Sequence, residues 1–263
     1  MRILLSNDDG ILAPGLAALR AAVADVGEIH VVAPDSPQSA AGHAITLQAP
    51  LTVQKVHVEG GAQGGFLALS VDGRPADCVR LAIRKLLARP PDLVLAGINA
   101  GCNVGINVFY SGTVAAAAEA AMLGIPAVAF SADMTGEVNF ARAATLCRWV
   151  LEHLLKWPLG RGDFLNVNIP SLGPGRPAGV RVVPQSTAEL TDDYHLQSDN
   201  EGREVYRLGD VYSFAATEHE NDVVCLNEGY ITVTPLQVDM THHRRLADLA
   251  RRKWEAMPPG GNK

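Results

Sequence analysis

Short apolar runs recur along the first half of the chain, and most end in a polar or glycine-bearing turn. Arg2–Ser6 is the first, closed by Asn7-Asp8-Asp9-Gly10. Pro14–Ala24 follows as an alanine-rich helix with proline in its first turn. Glu28–Ala33 reads as a second strand, and a polar loop without periodicity runs from Asp35 to Pro50. Leu51–Val58 and Phe66–Val71 read as strands joined by the glycine-rich turn 60–65. Ala76–Ala88 has apolar residues at helical spacing, and Asp92–Ala96 is a buried-type strand. A small-residue helix Thr113–Leu123, a strand Ala127–Phe130, a helix Phe140–Lys156 and a strand Phe164–Asn168 complete the alternation.

Strands with continuous apolar runs, each separated by a helix, predict a parallel sheet covered on both faces. The later part of the chain is patterned differently. Pro170–Pro177 is rich in glycine and proline, and Arg203–Tyr212 alternates as part of a β-hairpin. Gly229–Thr234 is a further strand and Thr241–Ala256 a closing helix, with 257–263 frayed. The expectation is a single domain in which residues 1–190 form the α/β core and 191–263 form an arm and closing helix.

The 263 residues are 48% hydrophobic and 19% charged, which excludes disorder as the main state. Lys plus Arg is 22 against 28 for Asp plus Glu, a net charge of −6, so duplex nucleic acid is not an expected partner. Four scattered cysteines make neither a zinc spacing nor a disulfide framework. With no secretory leader or membrane span in view, a soluble cytoplasmic protein is expected. Trp149, Trp157 and Trp254 are expected as core or interface fillers. His30, His57 and His153 are expected as structural histidines, and Asp192-Asp193 as a solvated loop.

In a parallel sheet, ligands bind beyond the carboxyl ends of the strands. Three such ends carry polar chemistry: 7–10, 34–39, and 97–105 continuing through Tyr110-Ser111-Gly112-Thr113. Adjacent Asp8 and Asp9 suit a hard divalent cation, magnesium or manganese, or else form a solvated turn. Ser111-Gly112-Thr113 at a helix start suits an anion, or is an ordinary N-cap. His43, in the long loop, is exposed enough to act or to be merely polar. His242 and His243 read as capping or intersubunit groups. No dinucleotide, P-loop, nucleophile-elbow or HExxH motif occurs.

Taken together, these segments resemble the SurE family, the stationary-phase survival and nucleotide-phosphatase family. The resemblance runs through residues 3–11, 13–15, 31–34, Gln38-Ser39, 73–79, 91–94, 97–103, 110–114, 228–230 and 232–236. Ala40 stands where that family usually carries glycine, and Ser6 where threonine is common. The resemblance implies a Rossmann-like three-layer α/β/α sandwich with a C-terminal β-hairpin arm and closing helix used in oligomerisation. It implies one divalent metal per subunit held by Asp8, Asp9, Ser39 and Asn99, and a phosphate held by Asn103, Ser111, Gly112 and Thr113. Asp8 or Asp9 would act as the base. The implied substrate is a nucleoside 5′-monophosphate, with 3′-nucleotides and polyphosphate besides. The implied assembly is a dimer or tetramer, with Asp239 and His243 in its C-terminal region. The rival readings are a transferase using the same metal and a nucleotide-binding regulatory module without turnover.

Overall fold

The structure is a computed structural model that describes residues 1–59, 64–134, 139–157, 159–160, 162–171, 175–191, 193–198, 202–209, 213–216 and 219–254. In chain order the elements begin β1 (Arg2–Ser6), α1 (Pro14–Ala22), β2 (Glu28–Pro34), β3 (Val53–Val58), β4 (Phe66–Val71) and α2 (Pro75–Leu81). They continue with β5 (Leu93–Ala100), α3 (Gly112–Met122), β6 (Ala127–Ala132), α4 (Phe140–Leu154), β7 (Asp163–Ile169) and β8 (Val180–Val182). Last come β9 (Leu190–Thr191), β10 (Tyr194–Ser198), β11 (Glu204–Leu208), β12 (Ser213–Phe214), α5 (Asp222–Asn227), β13 (Ile231–Gln237) and α6 (His243–Ala250).

Nine strands make one sheet in the order β3–β4–β2–β1–β5–β6–β7–β13–β8. The run β4–β2–β1–β5–β6–β7 is parallel, β3 is antiparallel to β4, and β13 is antiparallel to β7. Each face is closed by its own apolar layer, as an α/β/α sandwich requires. Ile3, Leu5, Leu16, Leu19, Phe130, Cys147 and Leu151 pack α1 and α4 on one face. Leu4, Val79, Val94, Ala117 and Ala121 pack α2 and α3 on the other. Chain order and sheet order part company at β1. The chain leaves β1 toward β2 on one side, and β5 later docks on the other. That reversal leaves a crevice at the carboxyl ends of β1 and β5.

Several elements differ from the sequence pattern. The helix expected over 76–88 ends as an α-helix at Leu81 and continues as a π-helical turn, Ala82–Leu86. A 3₁₀ helix, Gly105–Phe109, precedes α3. β5 runs on to Ala100 although Gly97 breaks the apolar run, because its pairing with β6 resumes at Asn99 after a register shift. Residue 190 is not where the sheet ends: β13 returns between β7 and β8, and α5 packs on it. Among the described later residues only the β10–β11 hairpin, the β9–β12 pair and α6 stand off the sheet. The tryptophans are not core residues. Trp149 is 46%, Trp157 67% and Trp254 81% exposed. His30 and His153 do have local partners, Glu28 and the Trp149 carbonyl. The turn at 60–63, Asp192 and residues 257–263 lie outside the described residues.

Candidate active site at the crevice between β1 and β5

An open cavity of about 220 Å³ sits at this crevice. Asp8, Asp9, Ser39, Asn99, Asn103 and Ser111 all line it, from four separate stretches of chain. β1 delivers the carboxylates: Ser6 pairs with Ala96 of β5, and the chain then turns at Asn7, whose amide donates to the Gly10 carbonyl at 2.9 Å. β5 delivers Asn99 across the register shift. That shift needs glycine at 97, where a Cβ would stand 2.2 Å from the Phe130 carbonyl oxygen. Bulged strands re-aim side chains in this way. The loop after β2 delivers Ser39 and is tied to β1 by the Gln38 N–H, which donates to the Asp8 carbonyl at 2.8 Å.

The prospective ligands are held, each by a different tie. The Thr113 hydroxyl donates to Asp8 Oδ1. The Ala100 N–H donates to Asp9 Oδ2 at 3.1 Å. The Asn99 amide donates to the Gly101 carbonyl at 2.6 Å, which leaves its own carbonyl oxygen as the free polar atom. Among the described residues no three His, Cys, Asp or Glu side chains form a metal cluster. The carboxylate pair is instead completed by a hydroxyl and a carboxamide. Hard oxygens of this kind suit a magnesium- or manganese-class cation. Burial, with the neighbouring Asp9, pushes Asp8 up to about 6, against the opposing hydrogen bond from Thr113. Burial also raises Asp9. Two carboxylates pushed toward neutrality in one crevice are what a bound cation would relieve.

The residues expected to hold phosphate divide in two. Asn103 and Ser111 line the cavity, whereas Gly112 and Thr113 do not. Thr113 is fully buried and acts on the site through Asp8. Gly112 is there for space: a Cβ would come within 2.7 Å of the Asp8 Cβ. Ser111 caps α3 by accepting from the Val114 N–H at 3.1 Å, and its hydroxyl proton stays available. Asn103 is fixed by Ser131, Asn166 and Asn168 on β6 and β7, at 2.6–2.8 Å in its shortest bonds. Cys102 also lines the cavity, and burial pushes its thiol far up, so it is not a thiolate nucleophile.

Sequence reasoning missed the buried acids that brace these loops. Asp222 accepts from the N–H groups of Gly105 at 2.9 Å and Ser186 at 2.8 Å. Asp77 accepts from the Thr46 N–H and hydroxyl, at 2.9 and 2.7 Å. Glu119 bridges His43 and Arg80. A signal existed for Glu119, a single carboxylate inside the alanine run of α3. Asp239 and His243 pair with each other at 2.9 Å, away from the cavity, and His242 caps α6 as expected.

The family model described as Survival protein SurE matches residues 3–192. "5′-nucleotidase SurE 1" of Thermus thermophilus is 43% identical over 251 residues, covering 95% of this chain and 97% of that one. "5′-nucleotidase SurE" of Desulfatibacillum aliphaticivorans is 42% identical over 259 residues, with 98% and 100% covered. The crystal structure of the SurE protein from Aquifex aeolicus matches with a TM-score of 0.81 at 35% identity, covering 95% of this chain and 98% of that one.

Proposed function

Because the chain belongs to the Survival protein SurE family, we propose that it is a 5′-nucleotidase, releasing phosphate from nucleoside 5′-monophosphates at the β1–β5 crevice. One observation carries the reading: a buried carboxylate with a half-buried one beside it, a carboxamide, a hydroxyl and a helix N-cap converge on one cavity at the reversal of strand order.

Asp8, Asp9, Ser39 and Asn99 would hold one divalent cation, for which their oxygens are the fitting donor set. Such a cation, when bound, neutralises phosphate charge and acidifies water. The remaining work falls to the protein. Ser111 and Asn103 hold phosphate oxygens and fix the phosphorus for in-line attack by water. Thr113 keeps Asp8 in one orientation. Asp9 is the less buried of the pair, and its second oxygen has no hydrogen bond, so it is placed to take the proton of the attacking water. The β10–β11 hairpin and α6 are proposed as the contact with further copies of the chain, in a dimer or tetramer.

Phosphate release from 5′-nucleotides, 3′-nucleotides and short polyphosphates, with magnesium or manganese and with a chelator, tests this. Activity is expected on the 5′-nucleotides, to vanish with the chelator, and to fall by more than about 100-fold in Asp8→Asn. No release with magnesium, manganese or cobalt overturns the hydrolase, and a fully active Asp8→Asn overturns the ligand assignment.

A further inference from the structure

The loop from Asp35 to Pro50 carries Ser39 and has no helix or strand of its own. A loop of that length needs something to order it. At its start the Asp35 N–H donates to the Val71 carbonyl at 2.9 Å, and three further ties follow. Gln38 N–H donates to the Asp8 carbonyl at 2.8 Å, Gly42 N–H donates to the Tyr110 carbonyl at 2.9 Å, and Thr46 donates to Asp77. Two ties run through side chains alone: Arg74 donates to Gln38 Oε1 at 3.2 Å, and His43 meets Glu119. His43 Nε2 lies 2.9 Å from Glu119 Oε2, and Arg80 donates to the other carboxylate oxygen at 2.5 Å.

Glu119 is only 1% exposed, on a helix whose other residues from Gly112 to Ala121 are also buried. A carboxylate in that setting is costly unless fully partnered. Burial works to raise its pKa, but the bonds from His43 and Arg80 outweigh this and hold it below the ordinary range. Packing alone does not ask for a charge there, since buried ion pairs are commonly replaced by apolar residues with no loss of stability. What the charge does add is a fixed point for His43. Between His43 and Ser39 lies Ala40, at φ 52, in the left-handed region that disfavours a side chain. A conformation of that kind persists where its surroundings over-determine it.

We propose that Glu119, oriented by Arg80, acts through His43 as a positioning device that holds the Ser39 loop against the carboxylate pair. The device rests on the reading of Ser39 as a cation ligand. α3 then serves the site twice. Its first turn orients Asp8 and offers the Ser111 hydroxyl, and Glu119, further along, holds the opposite wall.

The test uses manganese alone as the probe, with the full chain. Direct Mn²⁺ binding by electron paramagnetic resonance and hydrogen exchange of the 36–46 amides are compared for wild type, His43→Ala, His43→Gln and Glu119→Gln. His43→Ala is expected to weaken Mn²⁺ binding by about 10- to 100-fold. Faster exchange is expected with it at 36–46 and not in the strands of the sheet, and the thermal midpoint is expected to fall because Glu119 loses one of its two partners. His43→Gln keeps a donor and should recover most of the affinity. At saturating manganese, kcat should fall less than the affinity does. Mn²⁺ binding and loop exchange unchanged in both His43→Ala and Glu119→Gln overturn the device while leaving the hydrolase reading intact. Wild type that binds no Mn²⁺ overturns the reading of Ser39 as a manganese ligand, and the device with it, while phosphate release decides the hydrolase separately. If Glu119→Gln does not fold, the two His43 variants decide the matter alone.

Discussion

The crevice at β1 and β5 and the β10–β11 hairpin invert one another. At and around the crevice many polar groups are buried and partnered: Asp8 by Thr113, Asn103 by Ser131 and Asn168, Asp222 by Gly105 and Ser186, and, behind it, Glu119 by Arg80 and His43, while Ser6 Oγ, Asn7 Oδ1 and Asn166 Oδ1 are buried without a partner. On the hairpin, apolar groups lie in the open. Tyr194, Leu196, Val205, Tyr206 and Leu208 are all exposed, and the two strands pair only with each other. α6 likewise has no buried residue, with Leu246 and Leu249 outward. Burying polar groups costs free energy, so a fold that does it repeatedly around one cavity is using them there. Exposing apolar groups on a lone two-stranded ribbon costs free energy too, and points to a missing neighbour. The first inversion fits the proposed chemistry and the second the proposed contact with further copies of the chain.

The comparison breaks most sharply at Gly112. A methyl there would stand 2.7 Å from the Asp8 Cβ and 3.0 Å from Pro75. Either Asp8 or α3 must move, and misplacement by an ångström costs about 100-fold in rate. Gly112→Ala is therefore expected to lower kcat/KM for a 5′-nucleotide by about 100-fold or more. Leu196→Ser on the hairpin should leave kcat/KM within about twofold and the stability of the separated chain within ~0.5 kcal/mol. Steady-state kinetics and thermal melts check both. An active Gly112→Ala shows that the crevice tolerates movement, and a crippled Leu196→Ser shows that the two regions are not separable.

A smaller effect, and one that sharpens the contrast, comes from pH. With no cation bound, Asp8 titrates near 6 when folded and at an ordinary carboxylate pKa when unfolded, and Asp9 shifts in the same direction. A raised folded pKa means that the folded state binds more protons. The associated stability is present below pH 4 and is lost as pH rises through about 6. The cation-free protein should therefore lose up to about 3 kcal/mol from this source between pH 4 and pH 7, set against whatever other groups contribute. Magnesium or manganese should restore stability at pH 7.5 far more than at pH 5. In Asp8→Asn, both the pH-dependent loss and the cation-dependent gain should shrink. Melting curves at the two pH values, with and without cation, measure this. A cation effect that is the same at both values, or unaltered in Asp8→Asn, removes Asp8 from the ligand set.

How much of this was legible in the sequence follows the same division. Asp8 and Asp9 stand out because an apolar run stops abruptly at two carboxylates, and that is local information. Asn99 belongs to the site only because β5 docks beside β1, so its place depends on strand order. Gly97 hid the true length of β5, since it interrupts the apolar run at the point where the register shifts. The bracing by Asp222 and Asp77 was invisible because the Gly105, Ser186 and Thr46 groups they hold lie far along the chain, and nothing in composition marks a distant donor. Thr113 was expected at the phosphate; that its hydroxyl donates to Asp8 is a contact only packing can reveal. The hairpin was legible from its alternation. Its exposure was not, because an alternating strand looks the same whether or not its apolar face is covered. The tryptophans were expected in the core or at an interface, and a single chain leaves them exposed, which rules out only the core.

The smallest effect lies at Ala40, on the loop where the two themes meet. Its φ of 52 makes it the one left-handed non-glycine residue among those described, next to Ser39 on the cavity wall. Glycine there would relieve a steric cost of about 1–2 kcal/mol. It would also give the unfolded chain more freedom, worth about 0.4–1 kcal/mol in the opposite direction. The net expectation for Ala40→Gly is a gain of no more than about 1 kcal/mol, with kcat/KM changed by less than about twofold. If the ties from Gln38, Gly42, His43 and Thr46 hold the loop as described, the extra freedom of glycine has nowhere to act in the folded state. Denaturant unfolding and Mn²⁺ binding are the measurements. A stability loss above about 1 kcal/mol means that residue 40 does not occupy the left-handed region. Preserved stability with weakened cation binding would mean that the stiffness of alanine itself helps to place Ser39.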